Sequence, residues 1–337
     1  MDIATHALAS LALMRGFFPR RSWTVAAGMV VAGTLADVDG LSALGGPEAY
    51  LTWHGTLAHS FLAALVIVAI ATILTMRWNG KKAEPAVGIV VAIGVATIAH
   101  LVLDWCGSDG VVLMWPVRRT RFAGDLLPNV DAWILLLLIV GIVMPELFRL
   151  VGSEIGAKDK GPRGRHGALV ALGLLVIYVA ARGVLHANAL VELDAHAYKG
   201  ESPRRVGAFA DALSIFNWHG IVETQSSICL VEAEVGPGHV FDAESAACQH
   251  KPDASPELDV AQKTAAAVKF LRVARFPKAT VVKTEDGYEV EMRALEDSAE
   301  DASWHRVAAR VVMDAQRKMV SEELLWSKDL GRRWEQR

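Results

Sequence analysis

Histidine and aspartate recur in this chain where its apolar runs begin or end: His6, Asp37 and Asp39, His54 and His59, His100 and Asp104, and Asp131. Neutral imidazole and carboxylate together suit zinc, with manganese or iron as alternatives. His100 and Asp104 are spaced i, i+4, so on a helix both project from one face and can share an ion. Asp37 and Asp39 would diverge on a helix, but Gly40 lets the chain turn beside them. His54 and His59 can both serve only if a helix starts between them. Asp131 follows Pro128-Asn129 and reads equally well as a helix N-cap. His6, Asp37, Asp39, His54, His59, His100 and Asp104 are too many ligands for one tetrahedral zinc. They suit a two- or three-metal cluster, which can activate water and hold both oxygens of an in-line phosphoryl displacement. Each histidine alone is more commonly a hydrogen-bonding residue at a helix end, and Cys106 nearby reads as a buried apolar residue. The weight lies in the joint pattern.

The elements that must position these groups are apolar. The chain has 337 residues, 53% of them hydrophobic, and its long apolar runs end before about residue 187. Spans are expected at 23–41, 57–76, 85–105, 132–148 and 167–186, each roughly 17–21 residues and near the ~20 that cross the hydrocarbon core. The run 3–18 is shorter, so the bundle has five or six helices. One set of connections carries Arg15, Arg20, Arg21, Arg77, Lys81, Lys82, Arg149, Lys158, Lys160, Arg163 and Arg165. The opposite set carries only Arg118, Arg119 and Arg121. By the positive-inside rule the first set faces the cytoplasm. His6, Asp37, Asp39, His54, His59, His100, Asp104 and Asp131 then all fall at the outer face. Ionisable groups at membrane depth are costly and usually functional, so a common level is informative.

Residues 1–187 therefore form an all-α polytopic membrane bundle, and residues 188–337 an extracytoplasmic α+β domain rich in strands. Strands are expected at 219–224, 228–235, 279–284, 287–294, 304–313 and 319–326, with a helix over 258–276 ending before Pro277. Asp286-Gly287 is a hairpin turn signal. Arg182, near the end of the last span, is expected to extend its head to the interface. Cys229 and Cys248 could form a disulfide in that compartment or remain buried thiols. The net charge of −3 gives no basic footprint for nucleic acid.

Met1-Asp2-x-x-Thr5-His6, Asp37-x-Asp39, His54-Gly-Thr-Leu-Ala-His59-Ser60, and His100-x-x-x-Asp104 followed by Val112-Leu113-Met114-Trp115-Pro116 occur in a known order. Over about residues 1–150 the chain resembles the bacterial inner-membrane metal-dependent hydrolases, also called LexA-binding hydrolases. Phe216-Asn217-Trp218-His219-Gly220 and residues 270–277 extend the likeness weakly. That family is grouped with zinc-dependent phospholipase C and P1-type nucleases. The resemblance implies an all-α fold, a site of one to three divalent ions, and phosphoester hydrolysis. Gly55 and Ala58 stand where the family commonly has Arg and Thr, so Arg118, Arg119 or Arg121 would have to bind a substrate phosphate. The LexA-binding label is not carried over, because the cytoplasmic loops offer little surface.

Three functions follow. The first is an inner-membrane metallohydrolase acting on a phosphoester, plausibly a lipid. In it Asp39, His59 and the three arginines join the chemistry, and membrane lipids are the partners. The second is a non-catalytic protein braced by metal, whose outer domain binds a partner. The third is a metal-ion transporter, which calls for ligands near the bilayer midplane and broken helices in matched halves.

Overall fold

The computed structural model describes residues 1–79, 85–154, 164–296 and 306–330. Lys81, Lys82, Lys158, Lys160, Arg163 and the first residues of the strand expected at 304–313 lie outside them. The chain divides into two compact units. The first comprises Met1–Asp39 and Gly55–Val184, and the second Gly40–His54 and Leu185–Arg337.

The first unit is helical. It contains α1 (Ile3–Phe17), α2 (Trp23–Ala32), α4 (Phe61–Asn79), α5 (Ala86–Cys106), α6 (Ala132–Glu154) and most of α7 (Arg165–Ala195). By length and composition α4, α5, α6 and α7 can each cross a membrane. The expected span at 23–41 is instead broken. Helix α2 is followed by a 3-10 segment, Leu35–Gly45, bent from it by 43°. Gly33 lies at the break and packs against α1, where a Cβ would stand only 2.1 Å from Ser10 Oγ. Small residues let the helices meet closely, as membrane bundles require. Val25, Met29 and Ala32 pack on Ile67 and Ala71 of α4 and Ile93 and Ala96 of α5. Ala9 and Ala12 of α1 pack on Leu103, Ile134, Leu138 and Ala168. Leu65, Val87 and Val176 point outward and are exposed, an apolar exterior suited to lipid.

Arg182 does not reach an interface. It is 1% exposed, and its Nε donates to Leu126 O at 3.0 Å. A charged head inside a bundle is tolerable when it satisfies a backbone carbonyl left open by a loop. Asp131 is the N-cap of α6, with Oδ1 accepting from Trp133 N and Ile134 N at 3.0 Å each. Its Oδ2 accepts from Tyr178 Oη at 2.8 Å.

The second unit holds two antiparallel four-stranded meanders. Strands β1 (Arg205–Ala210), β2 (Asn217–Glu223), β3 (Ser227–Glu234) and β4 (Ala247–His250) form one. Strands β5 (Pro277–Lys283), β6 (Gly287–Ala294), β7 (Val307–Asp314) and β8 (Met319–Trp326) form the other. The expected helix over 258–276 is two short helices, α8 (Pro256–Ala261) and α9 (Ala265–Leu271). Thr264 starts the second by accepting from Ala267 N, which ends the continuity. Trp218, Tyr198 and Cys229 pack with Ala189 and Leu193 from the end of α7. Phe270, Val290, Met292 and Val311 fill the other core. Cys229 and Cys248 face each other across β3 and β4 and are disulfide-bonded.

A short helix from the N-terminal half, α3 (Pro47–Trp53), also belongs to this unit. The Tyr50 ring lies 5.7 Å from that of Trp326 in β8, and Glu48 pairs with Lys269.

Candidate metal centre

Four elements of the first unit converge on one buried point. Helix α1 brings His6, the 3-10 segment after α2 brings Asp37 and Asp39, the turn before α4 brings His59, and α5 brings His100 and Asp104. His6, Asp37, His100 and Asp104 each offer one ligand atom, and these atoms all lie within 4.8 Å of one another.

Asp104 is the hub. Its Oδ1 lies 2.9 Å from His6 Nε2 and 2.7 Å from the Met1 amino group. Its Oδ2 lies 2.9 Å from His100 Nε2 and 3.1 Å from His59 Nε2. Asp37 faces the same three imidazoles at 3.6 Å from His59, 3.8 Å from His100 and 3.9 Å from His6.

The far side of two rings fixes their chemistry. His100 Nδ1 lies 2.9 Å from Gly33 O, and a carbonyl can only accept, so Nδ1 carries the hydrogen. His59 Nδ1 lies 3.0 Å from Asp39 Oδ2, an oxygen that also accepts from Gly55 N at 3.0 Å. The Nε2 atom of each ring is therefore the one turned towards the oxygens of Asp37 and Asp104, while Nδ1 is held by its backbone or carboxylate partner. His100 Nε2, Asp104 Oδ2, Asp37 Oδ2 and His6 Nδ1 are buried without a hydrogen-bond partner, which native interiors rarely tolerate. Ligands about 2.0 Å from a tetrahedral zinc stand roughly 3.3 Å apart, close to the separations here. Imidazole and carboxylate, with His59 and His100 oriented from behind, are a fitting donor set for a divalent ion.

The remaining expected residues are not in the group of four. His54 belongs to the second unit and stacks on Tyr50, with ring centroids 4.6 Å apart. Arg118 and Arg119 are exposed. Arg121 is half-buried and donates to Gly110 O at 3.1 Å. Cys106 is a buried free thiol. The Gly33 carbonyl and the Met1 amino group were missed by reading side chains, since neither has a side-chain signature. A glycine between an apolar helix and an aspartate pair is the one local cue for the first.

Fold and site together define a multi-pass helical membrane protein with a buried imidazole–carboxylate cluster able to hold a metal ion. The chain belongs to the YdjM inner membrane protein family, whose model matches residues 1–189 and so includes every residue of the cluster. No curated protein and no solved structure matches the chain significantly.

Proposed function

We propose that the protein is a metal-dependent hydrolase of the inner membrane that cleaves a phosphoester at the outer face. The observation that carries this reading is the convergence of His6, Asp37, His100 and Asp104 ligand atoms within 4.8 Å of one another, several of them buried without a hydrogen-bond partner. Zinc is the first choice for such a set, with manganese or iron as alternatives. A divalent ion held there would polarise a phosphoryl oxygen and bring the pKa of water down towards 7.

The chain's own residues perform the other tasks. His6, Asp37, His100 and Asp104 hold the ion, with His59 beside them. Asp39 orients His59 through Nδ1, and the Gly33 carbonyl orients His100 in the same way. An arginine of the connection between α5 and α6 binds substrate phosphate, and the gathering of the ligands at the ends of spans favours a lipid ester. The outer placement is supported by the lysine and arginine bias of the loops and by the Cys229–Cys248 bond, which persists in oxidising compartments. Transport is less well supported. Among the described residues a single bent pair stands without a matching partner in a second half, and the ligands gather at one end of α5.

Metal content of the detergent-purified protein by mass spectrometry tests the reading. Near-stoichiometric zinc, manganese or iron is expected in wild type and its loss in His100→Ala/Asp104→Ala. A folded wild type free of metal sinks the proposal.

A further inference from the structure

The connection between α5 and α6 is more ordered than its sequence suggests. Val111 and Phe122 exchange both backbone hydrogen bonds, at 3.0 and 2.9 Å, making a small antiparallel clasp. Val112 N donates to Gly55 O at 2.9 Å, which joins the clasp to the turn carrying His59. Arg121 sits at the joint. Gly55 has φ +66°, and a Cβ there would lie 2.8 Å from Arg121 Nη1. The guanidinium thus fills the space that a side chain at position 55 would occupy. The Gly55 N–H, in turn, binds the oxygen of Asp39 that holds His59.

The three arginines of this connection are therefore not equivalent. Arg118 and Arg119 are exposed on a turn whose Val117 is 86% exposed, whereas Arg121 is half-buried against the cluster's outer ring of hydrogen bonds. Charge gives that difference a purpose. Asp37, Asp39 and Asp104, even with the Met1 ammonium, leave a divalent-ion centre no surplus positive charge with which to attract an anion. Resting on the hydrolase reading above, we propose that Arg121, and not Arg118 or Arg119, is the anion-binding residue of this centre, selecting substrates that carry a phosphate group. Guanidinium matches phosphate with two parallel hydrogen bonds, which lysine cannot reproduce.

The test is titration of full-length, metal-loaded protein in detergent with inorganic phosphate, followed by calorimetry, with metal content measured on each sample. Wild type is expected to bind phosphate. Arg121→Gln should weaken binding roughly tenfold or more while keeping its metal, and Arg118→Gln/Arg119→Gln should bind as wild type does. Arg121→Lys, which keeps the charge and loses the fork, should also bind more weakly than wild type, and it carries the test if the glutamine variant fails to fold. Wild-type affinity in the Arg121 variants overturns the proposal. So does a metal-loaded wild type that ignores phosphate, which leaves the metal reading standing. A wild type without metal overturns both.

Discussion

At the scale of single residues, the second nitrogen of each imidazole decides what the first can do. Asp39 accepts from both His59 Nδ1 and Gly55 N–H through one oxygen, so in the proposed centre it would act on an ion through His59 rather than by contact. Partners in this position typically carry 10–100-fold in metal affinity. Asp39→Asn is expected to weaken metal binding by about that range, read by competition with a chelating dye, without unfolding the protein. A second carboxylate has a different job. Glu201 in the C-terminal domain accepts hydrogen bonds associated with Thr224 and with Ser226 N and Oγ, which pull its pKa from the ordinary 4.5 down to about 2. The folded-state value is depressed, so the stabilisation is complete above pH 4.5 and is lost as pH falls towards 2. Across that window the thermal midpoint of wild type should fall more steeply than that of Glu201→Gln. Equal slopes would show that the contacts contribute nothing. The sequence discloses the cluster's side chains because i, i+4 spacing on α5 and the common level of the other groups are side-chain properties. It could not rank Arg121 over Arg118 and Arg119, since three cations in four positions look alike until the Val111–Phe122 clasp turns one inward.

At the scale of elements, the informative feature is the break after α2. Hydropathy runs on through residues 33–41, so composition reads one span. The break is set by the close approach of Gly33 to α1 and by the use of its carbonyl to orient His100, and neither leaves a hydropathy signal. Gly33→Ala should therefore cost about 1–3 kcal/mol through overpacking, because its Cβ would stand 2.1 Å from Ser10 Oγ. Adding Ser10→Ala should recover much of that loss in a double-mutant cycle of detergent-state unfolding. Strict additivity would mean that the two positions do not meet. Spans α4 to α7 were legible because ~20 apolar residues have few other fates. The strands β2, β3 and β5 to β8 were legible from their short apolar runs, and β6 also from the alternation of Tyr288, Val290 and Met292. Strands β1 and β4 were not. The first has Gly207 inside it, and the second is four residues long with a mostly exposed pattern, so its pairing comes from β3 and the disulfide rather than from its own sequence.

At the scale of the whole molecule, the inner-membrane, multi-pass architecture follows from family and helices together. The outward placement of the second domain is a proposal with its own check. Trypsin added to spheroplasts should remove a C-terminal tag, and the tag's survival until lysis would invert the topology. Non-reducing gels on the same samples should show a mobility difference between wild type and Cys229→Ser. One further property comes from the excursion between Asp39 and Gly55. Its Glu48 and Tyr50 are secured by Lys269 and Trp326, residues far along the chain. A ribosome needs on the order of tens of seconds to reach them after finishing this segment. The helices thus enter the bilayer before the partners of Glu48 and Tyr50 have been synthesised. A chain cut short by a stop codon before Trp326 would insert its helices and still leave Tyr50 without the ring that completes its place.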